Sequence, residues 1–257
     1  MSLIFKKIVA SYHKNLPFVC FNKPNATKLK AYFGEDVSLR YSDSFKEEGF
    51  VFAPFHNENP SIVFLKETSE VMEELYIKNS IDTSDLEFKE YESDKNSHIA
   101  LVLAGIDAIK SNSFKKVVLS RKELVTLTSF DLLQVFENLL QKYDHAFVYV
   151  WFHPKVGLWM GATPERLVTL KNKEFHTTAL ASTQNYEGNS NPIWGNKEIK
   201  EHQFVIDYIV SQIKDQQNGI MLKNFSISDT HTIKAGSLLH LKADIKGEIE
   251  EFELKNL

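Results

Sequence analysis

The sequence predicts an α+β fold in which antiparallel sheets pack against helices. In the first ninety or so residues, aromatic and aliphatic clusters alternate with polar turns, as short antiparallel strands do. The clusters occupy residues 17–21, 49–55 and 61–65. Later segments have apolar residues at helical spacing. Because no linker composition or internal repeat divides the chain, we expect one domain over residues 1–257.

Three helices are predicted from periodicity. Residues 99–109 are too densely apolar for an alternating strand and predict a well-buried helix. Ser129 is expected to cap a helix with apolar positions at Leu132, Val135, Phe136, Leu139 and Leu140. Residues 196–217 predict an amphipathic helix with Gly219 as its stop.

Alternating segments predict further strands. Residues 147–152 and 156–160 read as a hairpin, and residues 175–181 as another strand. Around His240, the period of two places Leu239 and Leu241 on one face of a strand, and the histidine on the other. A histidine of this kind is most often a surface residue.

Composition restricts the partners and the compartment. The net charge is −4 and the basic residues are dispersed, so we expect no nucleic-acid partner. Cys20 is the only cysteine, which excludes an internal disulfide and favours a reducing compartment. No apolar stretch approaches the ~18 residues of a membrane span. We therefore expect a cytoplasmic protein with no membrane partner.

Segment 114–121 reads Phe-Lys-Lys-Val-Val-Leu-Ser-Arg, and its β-branched residues predict a strand. The period of two places Lys116 and Val118 on one face and Val117 and Leu119 on the other. A lysine in a strand is usually a solvated residue. It acts as a general base only where burial or a neighbouring cation lowers the pKa of the amine.

Segment 160–168 reads Met-Gly-Ala-Thr-Pro-Glu-Arg-Leu-Val. Gly161 and Pro164 are expected to break a strand and so to place Glu165 at its end, where rigid scaffolds display reactive groups. A surface ion pair with Arg166 is the alternative, and such pairs contribute roughly 0–1 kcal/mol. A carboxylic acid kept protonated near neutral pH would instead donate a proton to a departing hydroxyl.

Both segments resemble signature stretches of the chorismate-utilising enzymes, which look like Lys-Val-Val-Leu-Ser-Arg and Gly-Ala-Ser-Pro-Glu. Residues 179–183, Ala-Leu-Ala-Ser-Thr, are similar to the family's Leu-Ala-Gly-Thr stretch, and residues 197–205 to its Glu-His-rich helix. The best match covers residues 113–247. The resemblance implies the family's fold, an α+β arrangement of antiparallel sheets with packed helices.

The resemblance implies that Lys116 activates water and that Glu165 protonates the leaving hydroxyl. Ala181 stands where the ammonia-using members of the family have a second lysine, so water is the favoured nucleophile. The implied activity is that of an isochorismate synthase, the conversion of chorismate to isochorismate by water addition at C2 with loss of the C4 hydroxyl. Such a reaction serves menaquinone or siderophore biosynthesis.

The resemblance also implies binding residues. Ser182, Thr183 and His240 would contact the substrate, and Glu201 would be a ligand of Mg²⁺. Glu201 and His202 could otherwise form only the polar edge of a helix. Zinc is disfavoured because no second histidine stands at helical spacing from His202, whereas a lone carboxylate suits Mg²⁺.

Two departures from the family keep alternatives open. Ser182 replaces the usual glycine, and its Cβ could crowd a substrate that the backbone approaches. The family continues past the equivalent of Leu257 with further ligands, so we expect a truncated domain that is inactive by itself. The alternatives are a salicylate synthase-like enzyme, and a non-catalytic remnant that acts as a binding module.

Overall fold

The computed structural model describes residues 2–56, 58–77, 92–127, 129–214 and 222–249. Its helices are α1 (Leu3–His13), α2 (Glu92–Lys110), α3 (Leu132–Lys142) and α4 (Asn196–Lys214), and a 3₁₀ turn spans Lys66–Thr68. Its strands are β1 (Phe18–Asn22), β2 (Lys28–Gly34), β3 (Tyr41–Ser42), β4 (Gly49–Phe52), β5 (Ser61–Leu65), β6 (Ser69–Leu75), β7 (Phe147–His153), β8 (Gly157–Thr163), β9 (Thr169–Lys171), β10 (Glu174–Asn185), β11 (Leu222–Ile227), β12 (His231–Ala235) and β13 (Leu238–Ile249).

The strands form three sheets, and every strand pair among the described residues is antiparallel. Sheet A has the order β6-β2-β1-β7-β8, and sheet B the order β3-β5-β4. Sheet C has the order β11-β13-β10-β9, with β12 also pairing with β13. The predicted α+β class with antiparallel sheets is therefore confirmed.

Strand β1 is buried on both faces, which explains its uninterrupted apolar sequence. Phe18 and Cys20 face a core formed with α1 and α3, whereas Val19 and Phe21 face a second core that includes side chains of sheet B. Helix α1 was not predicted. The sequence indicates this helix only through its first residues. Ser2 caps the helix by accepting a hydrogen bond from the Phe5 amide at 3.1 Å.

Helix α4 covers one face of sheet C. Ile206 and Ile213 of the helix pack with Phe175 of β10 and Ile245 of β13. Burial alternates along β13, so the opposite face of the sheet is more accessible and carries polar side chains. We call this the polar face of sheet C, defined by His176, Thr183, His240, Lys242 and Asp244.

The chain divides into two compact units. The larger unit comprises the described residues of Met1–Ile81 and Leu132–Leu257, and the smaller unit those of Asp82–Asp131. The smaller unit contains α2, so a helix over residues 99–109 is confirmed. Its burial stays a prediction.

Residues 114–121 form no strand, contrary to the sequence-based prediction. No described strand pairs with them, and strand propensity alone does not supply the hydrogen bonds that a sheet requires. The predicted placement of Val117 and Leu119 on one face nevertheless holds. Val117 and Leu119 both contact α2, at 3.3 and 3.2 Å from the point where a Cβ on Gly105 would lie.

Two local predictions are also wrong. Gly161 does not break a strand, because it pairs with Tyr149 inside β8, and the strand ends only at Thr163. Helix α3 begins at Leu132, so Ser129 does not cap it. The hairpin of β7 and β8 and the strand β10 are confirmed. Helix α4 is confirmed as far as Lys214, and Gly219 lies outside the described residues.

Candidate functional site

A β-bulge at Ser182 builds the centre of the candidate site. The register between β10 and β13 shifts between Ala181 and Thr183, and Ser182 has a φ of 63°. This left-handed conformation favours glycine, the residue that the similar Leu-Ala-Gly-Thr stretch has at this position. The Ser182 side chain is buried, and its hydroxyl donates to the Glu198 carbonyl of α4 at 2.7 Å.

The bulge moves Thr183 onto the polar face of sheet C. His176 lies on this face, and without the extra residue the period of two would place Ser182 there instead. Thr183 pairs with His240 across the strands, and the Thr183 Oγ1 lies 3.2 Å from the His240 Nδ1. The same nitrogen lies 3.1 Å from the Ser182 carbonyl. The structure therefore brings together all three residues that were predicted to bind substrate.

His202 fixes α4 against β10. It is 2% exposed, and its Nε2 lies 3.1 Å from the Ala179 carbonyl. Because a carbonyl only accepts, Nε2 carries the proton, and Nδ1 can then accept from the Thr230 hydroxyl at 3.4 Å. The reading of His202 as a polar helix edge is therefore wrong. The preceding residue, Glu201, is half-buried beside this anchor.

Glu165 lies in the exposed loop that follows β8. The Glu165 amide donates to the Thr163 Oγ1 at 3.2 Å, and the Thr177 hydroxyl donates to the Leu167 carbonyl. The prediction that Glu165 follows a strand end is confirmed. Its position relative to Lys116, which belongs to the smaller unit, stays a prediction.

A hydrogen-bonded group that the sequence reasoning missed lies next to Glu165. The Arg166 Nη1 lies 2.9 Å from the His176 Nδ1, and the His176 Nε2 lies 2.7 Å from the Asp244 Oδ1. The Lys242 ammonium lies 3.2 Å from the same carboxylate oxygen. The alternation along β10 and β13 places these side chains on one face, but the register that joins them is not visible in the sequence.

The charges around Asp244 act in opposite directions. Partial burial raises the pKa of the carboxyl, but the hydrogen bonds from His176 and Lys242, together with the charge of Lys242, outweigh burial and lower the pKa below its usual value. Asp244 is therefore ionised near neutral pH. With Arg166, Lys242 and His240 on or beside the polar face, this region suits an anionic ligand.

The described residues could supply only part of the ligands of a Mg²⁺ site. Glu201 is a suitable oxygen ligand, but the described residues contain no group of three or more potential ligands. Mg²⁺ commonly keeps several waters and binds through one or two carboxylates together with substrate oxygens. Glu201 is thus compatible with an ion whose other ligands are substrate and water.

A separate small pocket, with a cavity volume of about 20 Å³, lies in the larger unit. It is lined by residues that include Asp36, Arg40 and His153. None of the predicted site residues of the larger unit lines it. We therefore do not place the candidate site there.

Comparison with known proteins agrees with this fold. The family model described as "Chorismate binding enzyme" matches residues 55–255. The chain belongs to the family of chorismate-binding enzymes. No curated protein sequence matches the chain.

Two solved structures illustrate the shared fold. DhbC from Bacillus anthracis, described as a 2,3-dihydroxybenzoate-specific isochorismate synthase, matches 96% of this chain and 71% of its own, with a TM-score of 0.70 and 17% identity. MenF, the menaquinone-specific isochorismate synthase from Escherichia coli, matches 94% of this chain and 68% of its own, with a TM-score of 0.58 and 11% identity. At these identities the likeness shows the fold alone.

Within the described part of the chain, no helix has the length and apolar character needed to cross a membrane.

Proposed function

We propose that the protein is a Mg²⁺-dependent isochorismate synthase. The observation that carries this proposal is the bulge at Ser182, which puts Thr183 beside His240 and ties both to the turn of α4 that precedes Glu201. Family membership supplies chorismate as the substrate. The names of the two structural relatives, both isochorismate synthases, support the choice within the family.

The polar face of sheet C has the character that chorismate requires. Chorismate carries two carboxylates and a ring hydroxyl, and the face offers His240, Lys242 and Thr183 as partners for such groups. Arg166 adds a guanidinium at one end. Between Asp244 and His240, four residues along β13 correspond to about 13 Å, which is enough for one substrate ring and its substituents.

In the proposed reaction, two side chains move protons. Water attacks C2 and passes a proton to the neutral amine of Lys116, the ring double bonds shift, and the C4 hydroxyl leaves as water after Glu165 protonates it. The two groups need opposite protonation states at the same pH. Mg²⁺, with Glu201 as a ligand, would neutralise and orient a substrate carboxylate.

Product analysis tests this proposal. Because the 257-residue chain is expected to be inactive by itself, a form with the complete family domain is incubated with chorismate and Mg²⁺, and the products are separated by liquid chromatography. We expect isochorismate, and a loss of roughly 10²–10⁴-fold in rate for Lys116→Ala and for Glu165→Gln. Lys115→Ala is the matched control, because it removes an exposed lysine from the adjacent position. Turnover that persists with a chelator, or anthranilate formed with ammonia, would contradict the proposal.

The same assay distinguishes two other functions from the proposed one. Salicylate together with pyruvate would indicate a salicylate synthase-like enzyme. The absence of a strand at residues 114–121 favours another alternative, a module that binds chorismate without converting it, because the proposed base then lacks a rigid support. Tight chorismate binding with no product under any condition would establish that alternative.

A further inference from the structure

We propose that Arg166, His176 and Asp244 form a hydrogen-bonded chain that positions the loop carrying Glu165, and that proton uptake by His176 breaks this chain. The catalytic role of this hydrogen-bonded chain rests on the proposed function, whereas its hydrogen bonds are a property of the fold. His176 and Asp244 are positioning residues, because they act on Glu165 through Arg166.

The direction of the chain follows from its chemistry. A guanidinium has only donors, so the His176 Nδ1 must accept from Arg166 across the 2.9 Å contact. A neutral imidazole with an accepting Nδ1 carries its proton on Nε2. Nε2 therefore donates to the Asp244 carboxylate at 2.7 Å, and the ionised state of Asp244 makes this bond charge-assisted. One tautomer satisfies both contacts.

The chain links the Glu165 loop to the centre of sheet C. The loop's other described hydrogen bonds run to Thr163, at the end of β8, and to Thr177, on β10. Only the Arg166 contact continues through a second side chain to β13, where Asp244 is 19% exposed and is also held by Lys242. Thr177 and the pairing of β9 hold the loop to β10, and the Arg166 contact adds a side-chain tie to the strand that bears His240.

Proton uptake by His176 would remove the acceptor on which the chain depends. A cationic imidazole has N–H groups on both nitrogens, so Nδ1 would meet the Arg166 guanidinium as a second donor and as a like charge. The groups that share the face around His176 are Arg166 from the loop, Glu174 on β10, Thr169 in register on β9, and Lys242, Asp244, Lys246 and Glu248 on β13.

Hydrogen exchange of the loop amides tests this inference without substrate. Exchange in residues 165–168 is measured over a pH series, corrected for intrinsic rates, while imidazole NMR signals follow the protonation of His176. We expect protection to fall by about five- to ten-fold as His176 takes up its proton. His176→Ala should show the low protection at every pH, and His176→Gln, which cannot take up a proton, should show no pH-dependent fall.

Two further variants keep the test decisive. Arg166→Ala alters an exposed side chain and should lower protection as much as His176→Ala does, with no further loss in the double variant. His231→Gln is the matched control, since His231 is an exposed histidine on the neighbouring strand β12 and should leave the wild-type profile unchanged.

Full protection in His176→Ala, or an unchanged pH response in His176→Gln, would overturn the inference. Either result would leave the chorismate assay untouched. Conversely, absence of isochorismate together with the expected exchange profile would contradict the proposed function and leave the positioning chain standing.

Discussion

Thr183 and His240 lie directly opposite each other on β10 and β13, with 3.2 Å between the threonine hydroxyl and the imidazole Nδ1. They meet because Ser182 takes the extra position of a β-bulge. The residue that departs from the family's glycine is therefore the one that sets the geometry of the site. Its left-handed backbone conformation gives a physical reason why glycine suits this position.

Replacement of Ser182 separates the cost of its backbone conformation from the value of its hydroxyl. Ser182→Ala loses the bond to the Glu198 carbonyl and keeps the left-handed strain, so we expect the free energy of unfolding to fall by about 1 kcal/mol. Ser182→Gly also loses the bond but relieves the strain, and should be about 1 kcal/mol more stable than the alanine variant. Urea unfolding measures both. Equal stability of the two variants would contradict the strained bulge.

Gly161 is needed because the Tyr149 ring occupies the space above it. A Cβ at this position would lie 2.8 Å from the Tyr149 Cε1. We expect Gly161→Ala to lower the free energy of unfolding by about 1–3 kcal/mol, because the ring must move. Adding Tyr149→Leu should recover part of that loss. If Gly161→Ala unfolds at the wild-type urea concentration, the close cross-strand contact is not present in solution.

Asp244 should give the protein a specific sensitivity to acid. Its pKa is lowered in the folded state, so the stability it contributes is fully present above its usual pKa of 3.8 and is lost as the pH falls through the folded-state pKa. We expect Asp244→Asn to be less stable than the wild type by about 1–3 kcal/mol at pH 7, and this difference to shrink below pH 3.8.

The measurement is urea unfolding at a series of pH values, with Asp229→Asn as a control that removes one negative charge from an exposed position. A difference between wild type and Asp244→Asn that stays constant down to the lowest pH would show that the carboxylate is not stabilised by His176 and Lys242.

Cys20 should be unreactive in the folded protein. It is 0% exposed, and burial of the thiol, with a smaller contribution from the charge of Glu74, raises the pKa of Cys20 far above its usual range. We expect a colorimetric thiol reagent to give no signal with the native protein and one equivalent in concentrated guanidinium chloride. Rapid labelling of the native protein would place Cys20 outside the core.

The sequence predicted the elements whose pattern is local. Alternation placed His240 on the correct face of β13, and helical spacing identified α4 with Glu201 beside its buried side. The bulge was not predicted, because a serine in left-handed conformation looks like any strand residue until the register on both sides is known. The strand at residues 114–121 was predicted and is not present, because β-branched composition does not provide a pairing partner.

The positioning chain was also invisible in the sequence for a physical reason. Arg166, His176 and Asp244 are separated by 10 and 68 residues, and only the pairing of β10 with β13 brings the last two together. His202 was read as a helix edge because its hydrogen-bond partner, the Ala179 carbonyl, lies on another element. Sequence periodicity does not show which distant residues pair with each other across strands.

The most direct test of the account is a calorimetric titration of the 257-residue chain with chorismate, with and without Mg²⁺. We expect Mg²⁺ to strengthen binding by about ten-fold or more, which corresponds to about 1.4 kcal/mol, and Glu201→Gln to remove that gain. Asp207→Asn, on the exposed side of the same helix, should keep it. Chorismate binding of equal strength in the presence of a chelator and in Glu201→Gln would contradict the proposed magnesium-assisted site.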